Sequence, residues 1–378
     1  MLRSITDRLQ ARYAARLLEQ AKHEVIDPKP RLTLRLAIGW LLAVFVLVSP
    51  YLVMAAGLGL IWSTFPEVFP GVFGLILILA GYVLLPPRNR NTWRTYSRAD
   101  LPHYFALLDQ IAERLGTTAP DGVHFVEDFN AYIAQFGNRF LGPKEWVLGM
   151  GLPLWEASTP QERVACLAHE LGHKVSDDPM RQGVFWRAEQ VLTNWGEMLD
   201  PDDQPYEVAA LAQMVLGGLI RGYHHLLSSL SFFESQRAEY RADALASRVA
   251  GCGASRLLLE TLTRGDLADR AILDLYPYRS DQGGRIFAHM GAAVSQADWD
   301  TVSRFLSEAA AEKRRVDSSH PPTAMRLEFV GALPPELEAD VLDASRIDFT
   351  AIDSELSAIK NALGKAMMQE LRDEELNR

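Results

Sequence analysis

In the stretch CLAHELGHKVSDDP (166–179), His169 and His173 stand four positions apart and Glu170 directly follows the first. On a helix, residues at that spacing project from one face, so two imidazole nitrogens can reach one tetrahedral ion. Glu170 is turned about 100° away and borders such an ion without ligating it. That is the place for a general base, able to take a proton from a water whose pKa a metal has lowered to about 7. The same letters can also arise by coincidence on an amphipathic helix, so a site requires a third ligand from another segment. SQRAEYRADALA (235–246) carries Glu239 and Asp243 one turn apart. They are either a carboxylate ligand with a neighbouring acid that orients an imidazole, or a solvated acidic face pairing with Arg237 and Arg241 along the helix. Cys166 precedes His169 by nearly one turn, but a fourth protein ligand would close the position a reacting water needs. It therefore reads as a buried structural thiol. His224 and His225 are adjacent and point apart on a helix; with His23, His103, His124 and His289 they read as core or surface residues.

The elements that must position these groups are legible in part. In STPQE, Thr159 can cap a helix, Pro160 suits its first position and Glu162 completes a capping box. This places 161–176 on a helix without appeal to the histidines. HYFALLDQIAERLGT (103–117) reads as a helix closed by Gly116, and GVHFVEDFNAYIAQF (122–136) and EWVLGMGLP (145–153) read as strands. SFFESQRAEYRADALASRVAG (231–251) is an amphipathic helix ending at Gly251. VAALAQMVLGGLI (208–220) is short for a membrane span and is either a core helix or one touching a bilayer surface. Residues 252–315 alternate helical stretches with a loop at YPYRSDQGG (276–284), and the tail from Asp348 is polar and helical.

The chain has 378 residues, is 48% hydrophobic and carries a formal charge of −10. That size can bury a substantial core, and the acidic balance argues against a nucleic-acid partner, which would call for clustered Lys and Arg. Two cysteines, Cys166 and Cys252, make no disulfide framework, in keeping with a reducing compartment. Apolar residues concentrate between Leu36 and Leu85. The first run, Leu36 to Ile61, can cross a hydrocarbon core at roughly 1.5 Å per residue, and the second, Val68 to Leu85, just reaches. WSTFPE lies between them with the interfacial aromatics Trp62 and Phe65. Arg31 and Arg35 flank one end and Arg88, Arg90 and Arg94 the other, so the positive-inside rule keeps both outer ends in the cytoplasm. The length of the first run, the residues ahead of it and the lack of a small-residue cleavage site after it argue against a signal peptide, and a buried hydrophobic helical hairpin inside a soluble domain is the other alternative to a membrane hairpin. Ahead of it, Leu2, Ile5, Leu9, Tyr13, Leu17 and Leu18 recur at helical spacing with Arg3, Arg8, Arg12 and Arg16 elsewhere, and Pro28 and Pro30 end the segment. Such a basic amphipathic helix lies on the anionic leaflet or packs on the soluble domain.

Three blocks in this order, GLPLWEASTPQERVACLAHELGHKVSDDP, EYRADALA and SSHPPTAMRLEFV (318–330), resemble the membrane-associated zinc metallopeptidases that include the CAAX prenyl endopeptidases and the bacterial heat-shock membrane proteases. The resemblance covers roughly residues 98–335. It implies that His169, His173 and Glu239 are zinc ligands, Glu170 the base and Asp243 the acid behind an imidazole. It further implies that His320 and Arg326 face the substrate carbonyl and steady the oxyanion, a role suited to an imidazole and a cation beside a metal. Asn130 matches the segment leading an edge strand along which a peptide could be held. The family often has Arg three residues before its glutamate ligand; here that position is Gln236, and no role is carried to it or to Arg237.

The expected architecture is mainly α with a small β-sheet (α+β), a zincin-like metallopeptidase domain preceded by a two-helix transmembrane hairpin. The divisions are a cytoplasmic amphipathic segment (1–34), the hairpin (35–85), a basic linker (86–100), the metallopeptidase domain (101–346) and a polar helical tail (347–378). The expected function is a zinc endopeptidase, with one zinc per chain, acting on protein or peptide substrates in the quality control of membrane or misfolded proteins. Its expected setting is a bacterial inner membrane with the catalytic domain cytoplasmic. The alternatives are a membrane-tethered zinc scaffold with little proteolysis and a zinc hydrolase of small amides. An open edge strand beside the metal would favour the peptidase, and a small closed pocket the amide hydrolase.

Overall fold

The computed structural model describes residues 2–23, 34–86, 91–136, 145–176, 183–199, 207–278, 280–312, 320–338 and 340–376. In chain order, its elements begin with helices α1 (Leu2–His23), α2 (Leu34–Thr64), α3 (Val68–Val83) and α4 (Pro102–Leu115). Strands β1 (Gly122–Val126), β2 (Ala131–Phe136) and β3 (Glu145–Gly151) follow, then α5 (Leu152–Ala157), α6 (Pro160–Val175), α7 (Gly183–Met198) and α8 (Glu207–Ala250). The remainder is α9 (Cys252–Leu262), α10 (Gly265–Leu273), α11 (Ile286–Ser295), α12 (Trp299–Ala311), α13 (Thr323–Gly331) and α14 (Phe349–Leu376). The described chain is thus mostly helical with one small sheet.

Two compact units divide it: residues 1–30, 91–178 and 236–378 form one, and residues 31–90 and 179–235 the other. The first holds the sheet, in the order β1-β3-β2, with β1 parallel and β2 antiparallel to β3. The stretch expected as one strand over 122–136 is split, because Asp128 and Asn130 turn the backbone, the Asn130 N–H donating to Asp128 O. Val123 and Phe125, Leu148 and Met150, and Ile133 are buried. The other face places Gly149 between His124 and Tyr132, and a Cβ at Gly149 would lie 2.2 Å from the Tyr132 ring. Helix α4 buries Tyr104, Leu107, Leu108 and Ile111 and stops at Gly116, whose φ of 68° is the left-handed conformation that glycine tolerates.

Helix α6 starts as its cap dictates. Thr159 accepts from the Glu162 backbone N–H, and the Thr159 N–H donates to Glu162 Oε2 at 2.9 Å. The other Glu162 oxygen accepts from Thr261 of α9 at 2.7 Å, so the cap also ties α6 to a neighbour. Arg163 stacks 4.5 Å over the Trp155 ring and reaches Asp353 of α14. The tail read as polar carries a buried apolar face of Ile352, Leu356, Ile359 and Met368 on α14, and Glu355 accepts the N–H groups of His103 and Tyr104 at the start of α4.

In the second unit, α2 and α3 run antiparallel in contact through small residues. A methyl at Gly57 or Gly74 would strike the other helix's backbone, and the same holds at Gly81. Helix α2 is long and apolar enough to cross a membrane; α3 is apolar but shorter, 16 residues or about 24 Å, because Leu84 caps it and Pro86 and Pro87 follow. Segments 208–220 and 231–251, read as separate, are parts of α8, since no proline interrupts the stretch between them. Leu211, Met214, Val215 and Leu219 are about half exposed or more, so the core-helix reading of 208–220 does not hold. Of the basic flanks, Arg35 lies in α2, while Arg31, Arg88 and Arg90 fall outside the described residues, as do Pro28 and Pro30. The substitution Thr159→Ala is expected to lower stability by about 1 kcal/mol, read from urea unfolding followed by tryptophan fluorescence.

Candidate metal centre

Two helices bring the charged residues together. His169 and His173 lie on α6 and Glu239 and Asp243 on α8, all four buried. The helices meet closely at Gly172, directly before His173; a Cβ there would lie 3.1 Å from the Ala242 Cα and 3.5 Å from Leu245. At the other end of α6, Gln161 donates to the carbonyls of Ala250 and Leu342 and accepts from the Ala344 N–H, which ties α6 to the C-terminus of α8.

The His169 and His173 Nε2 atoms are 3.2 Å apart. One Glu239 oxygen lies 3.4 Å from His169 Nε2 and the other 3.5 Å from His173 Nε2. A tetrahedron with metal–ligand bonds of about 2.0–2.1 Å has edges of about 3.3–3.4 Å, so the three groups have the spacing and chemistry to hold a metal ion. Two neutral imidazoles and a carboxylate also leave a fourth position for a reactant. Behind them, His169 Nδ1 is 3.1 Å from Asp243 Oδ1, which aims Nε2 toward Glu239.

Arg326 of α13 closes the cluster. Its Nε and Nη2 donate to the two Asp243 oxygens at 2.8 and 2.6 Å, and its Nη1 is 3.3 Å from Glu239 Oε2. His320, just ahead of the Pro321–Pro322 turn, puts Nδ1 2.9 Å from Glu239 Oε1 while its side chain stays 55% exposed. Burial, the largest single influence, would raise the pKa of both carboxylates, but the Arg326 charge together with the facing histidines, His320, His173 and His169 at Glu239 and His169 at Asp243, outweighs it and holds both below their ordinary range. Burial likewise disfavours a charged His169, and hydrogen bonds to Asp243 and Glu239 reverse that, raising it to about 9. Arg326 is raised against desolvation by the same two carboxylates. Burial raises the Cys166 thiol, as its structural reading expects.

A family model described as peptidase family M48 matches residues 123–333, more than half of the chain and inclusive of His169, His173, Glu239, Asp243, His320 and Arg326. The chain belongs to peptidase family M48. No curated protein and no solved structure matches it. Membership identifies this M48 protein as a peptidase by family, with a His169, His173 and Glu239 trio that could bind metal.

Of the residues singled out from the sequence, the structure brings together His169, His173, Glu239, Asp243, His320 and Arg326. Glu170 is buried on α6 next to His169, and its charge is felt by Arg326. Asn130 is exposed and stands apart from this hydrogen-bonded set, immediately before β2, where its side chain accepts from the Ala131 N–H and its carbonyl from Gly151. Gly172 and Gln161 escaped the sequence reading. A small residue at a helix crossing carries no motif, and an amide that spans two helices is invisible until they meet. Gly172→Val should push α8 off α6 and lower metal content after dialysis at least several-fold, measured by plasma mass spectrometry, with helical circular dichroism largely retained.

Proposed function

We propose that the protein is a zinc-dependent endopeptidase anchored in a membrane. The observation that carries this is the buried trio of His169, His173 and Glu239, with Glu170 beside it on the helix that bears the two histidines. Lewis acidity at a peptide carbonyl, and a lowered pKa for a nearby water, are what a zinc ion held by that trio supplies. Glu170 takes the proton of the attacking water and passes it to the departing amine. Asp243 fixes the His169 tautomer and orientation, and Arg326 in turn fixes Asp243. His320, half-exposed at the rim of the trio, and the Arg326 charge offset the negative charge that develops on the carbonyl oxygen.

A peptide would enter as an added strand. β2 pairs with β3 alone among the described strands and leaves its other edge for a substrate, with Asn130 at its start. An edge unpaired among the described strands, on a strand that contacts α6, supports a peptidase over a hydrolase of small amides. A zinc scaffold would leave Glu170 without a purpose, since a structural ion needs no base and no open position.

The anchor reading rests on α2, and on α3 as its shorter partner, whose outward residues include Leu41, Phe45, Leu58, Phe69 and Leu79, all more than half exposed. Side chains of that kind are at home in hydrocarbon. With the basic flanks on the cytoplasmic side, the catalytic unit faces the cytoplasm of a bacterial inner membrane, and quality control of membrane or misfolded proteins is the role such an anchor suits. The divisions at 34, 85, 100 and 346 belong to the same reading.

Glu170→Gln is expected to lower cleavage by about 10²-fold or more while zinc stays bound. New peptide termini compared by mass spectrometry between wild-type and Glu170→Gln cells check this; identical termini would sink the endopeptidase. The protein is further expected to remain in the membrane pellet after alkaline carbonate extraction, and its catalytic unit to resist protease added to sealed spheroplasts.

A further inference from the structure

Helix α1 has two faces with different fates. Ala14, Leu17 and Leu18 are buried in the first unit, where α1 packs against α13. Lys22 Nζ sits 2.7 Å from Glu328 of α13, two positions from Arg326. Arg12 and Arg16, one turn apart, are exposed on the face opposite those apolar residues. The sequence extends this spacing back to Arg8. Glu19 also lies on that side and is paired with Lys22. Only residues 24–33 separate α1 from α2, a reach of at most about 35 Å.

We propose that the Arg12 and Arg16 face of α1 docks on anionic phospholipid headgroups of the bilayer that α2 crosses, and that α1 thereby holds α13, and with it Arg326, in place. This rests on the anchor reading given above. Two guanidiniums presented on one side of a helix, tethered by a short chain to a membrane-crossing segment, meet headgroup phosphates as complementary charges. Ala14, Leu17 and Leu18 are already buried against the protein, so over this stretch the attraction is electrostatic and does not involve insertion. Lys22 carries the restraint across to Glu328, on the helix whose Arg326 grips Asp243.

The test uses the full chain in nanodiscs of phosphatidylcholine alone or with about 30% phosphatidylglycerol, followed by hydrogen exchange. The anionic discs are expected to slow exchange in α1, and to a lesser degree in α13, by about tenfold at low salt, with α4 unchanged as the control. Arg12→Glu with Arg16→Glu should erase the difference, Arg12→Lys with Arg16→Lys should keep it, and about 0.5 M salt should suppress it. Equal rates in the two lipids, or a slowing that survives the charge reversal, would overturn the docking. A chain recovered outside the discs would overturn the anchor reading and the docking together. Cleavage plays no part in the readout, so a failure of the peptidase reading is separately visible.

Discussion

The site depends on how closely two helices approach. His169 and His173 lie on α6 and Glu239 and Asp243 on α8, so the distance between the helices sets whether imidazoles and carboxylate share one point or merely face each other. Gly172 permits the approach because it has no side chain to insert between α6 and Ala242. Gln161 maintains it from the other end of α6, and Glu162 and Arg163 fasten that end to α9, α5 and α14. Most of the first unit can thus be understood as a frame around one helix crossing. The sheet and α4 give α6 a packed surface, and α14 locks α4 and α5 through Glu355 and Asp353.

Within that frame, electrostatics constrains the residue types. Two carboxylates buried side by side repel each other and are poorly solvated, a costly arrangement unless cations share the space. Arg326 bridges both, and His169 and His320 each contact one or both. The bidentate grip on Asp243 fixes direction as well as charge, which a lysine's single ammonium would not do. An ion held by Glu239 would therefore find its ligands already oriented and partly compensated.

Local signals in the sequence reached some of this and not the rest. The capping box at Thr159 and Glu162 and the stop at Gly116 are governed by neighbouring residues, and both are found where those residues indicate. His169, His173 and Glu239 were legible because helical spacing and a family resemblance bear on them directly. The turn within 122–136 was missed because its residues alternate well enough to pass for a strand, and only pairing with β3 shows where the chain reverses. The continuity of α8 was missed because a polar stretch around Arg221, His224 and His225 resembles a break when its packing partners are unknown. The α14 tail looked polar because its apolar positions recur at helical spacing among charges, and their burial depends on distant segments.

The same dependence on distant partners explains why α13 does two jobs from one short sequence. Pro321 and Pro322 end the preceding chain and start the helix, so His320 is held just outside the first turn and Arg326 comes one turn inside it. One side of α13 thus meets the carboxylates of α8 while Glu328 is left to meet Lys22 of α1. A helix of nine residues has little stability of its own, so its orientation follows from what it touches on both sides. Restraint at Glu328 and restraint at Arg326 are therefore parts of the same placement, and α1 bears on the candidate metal centre only through α13.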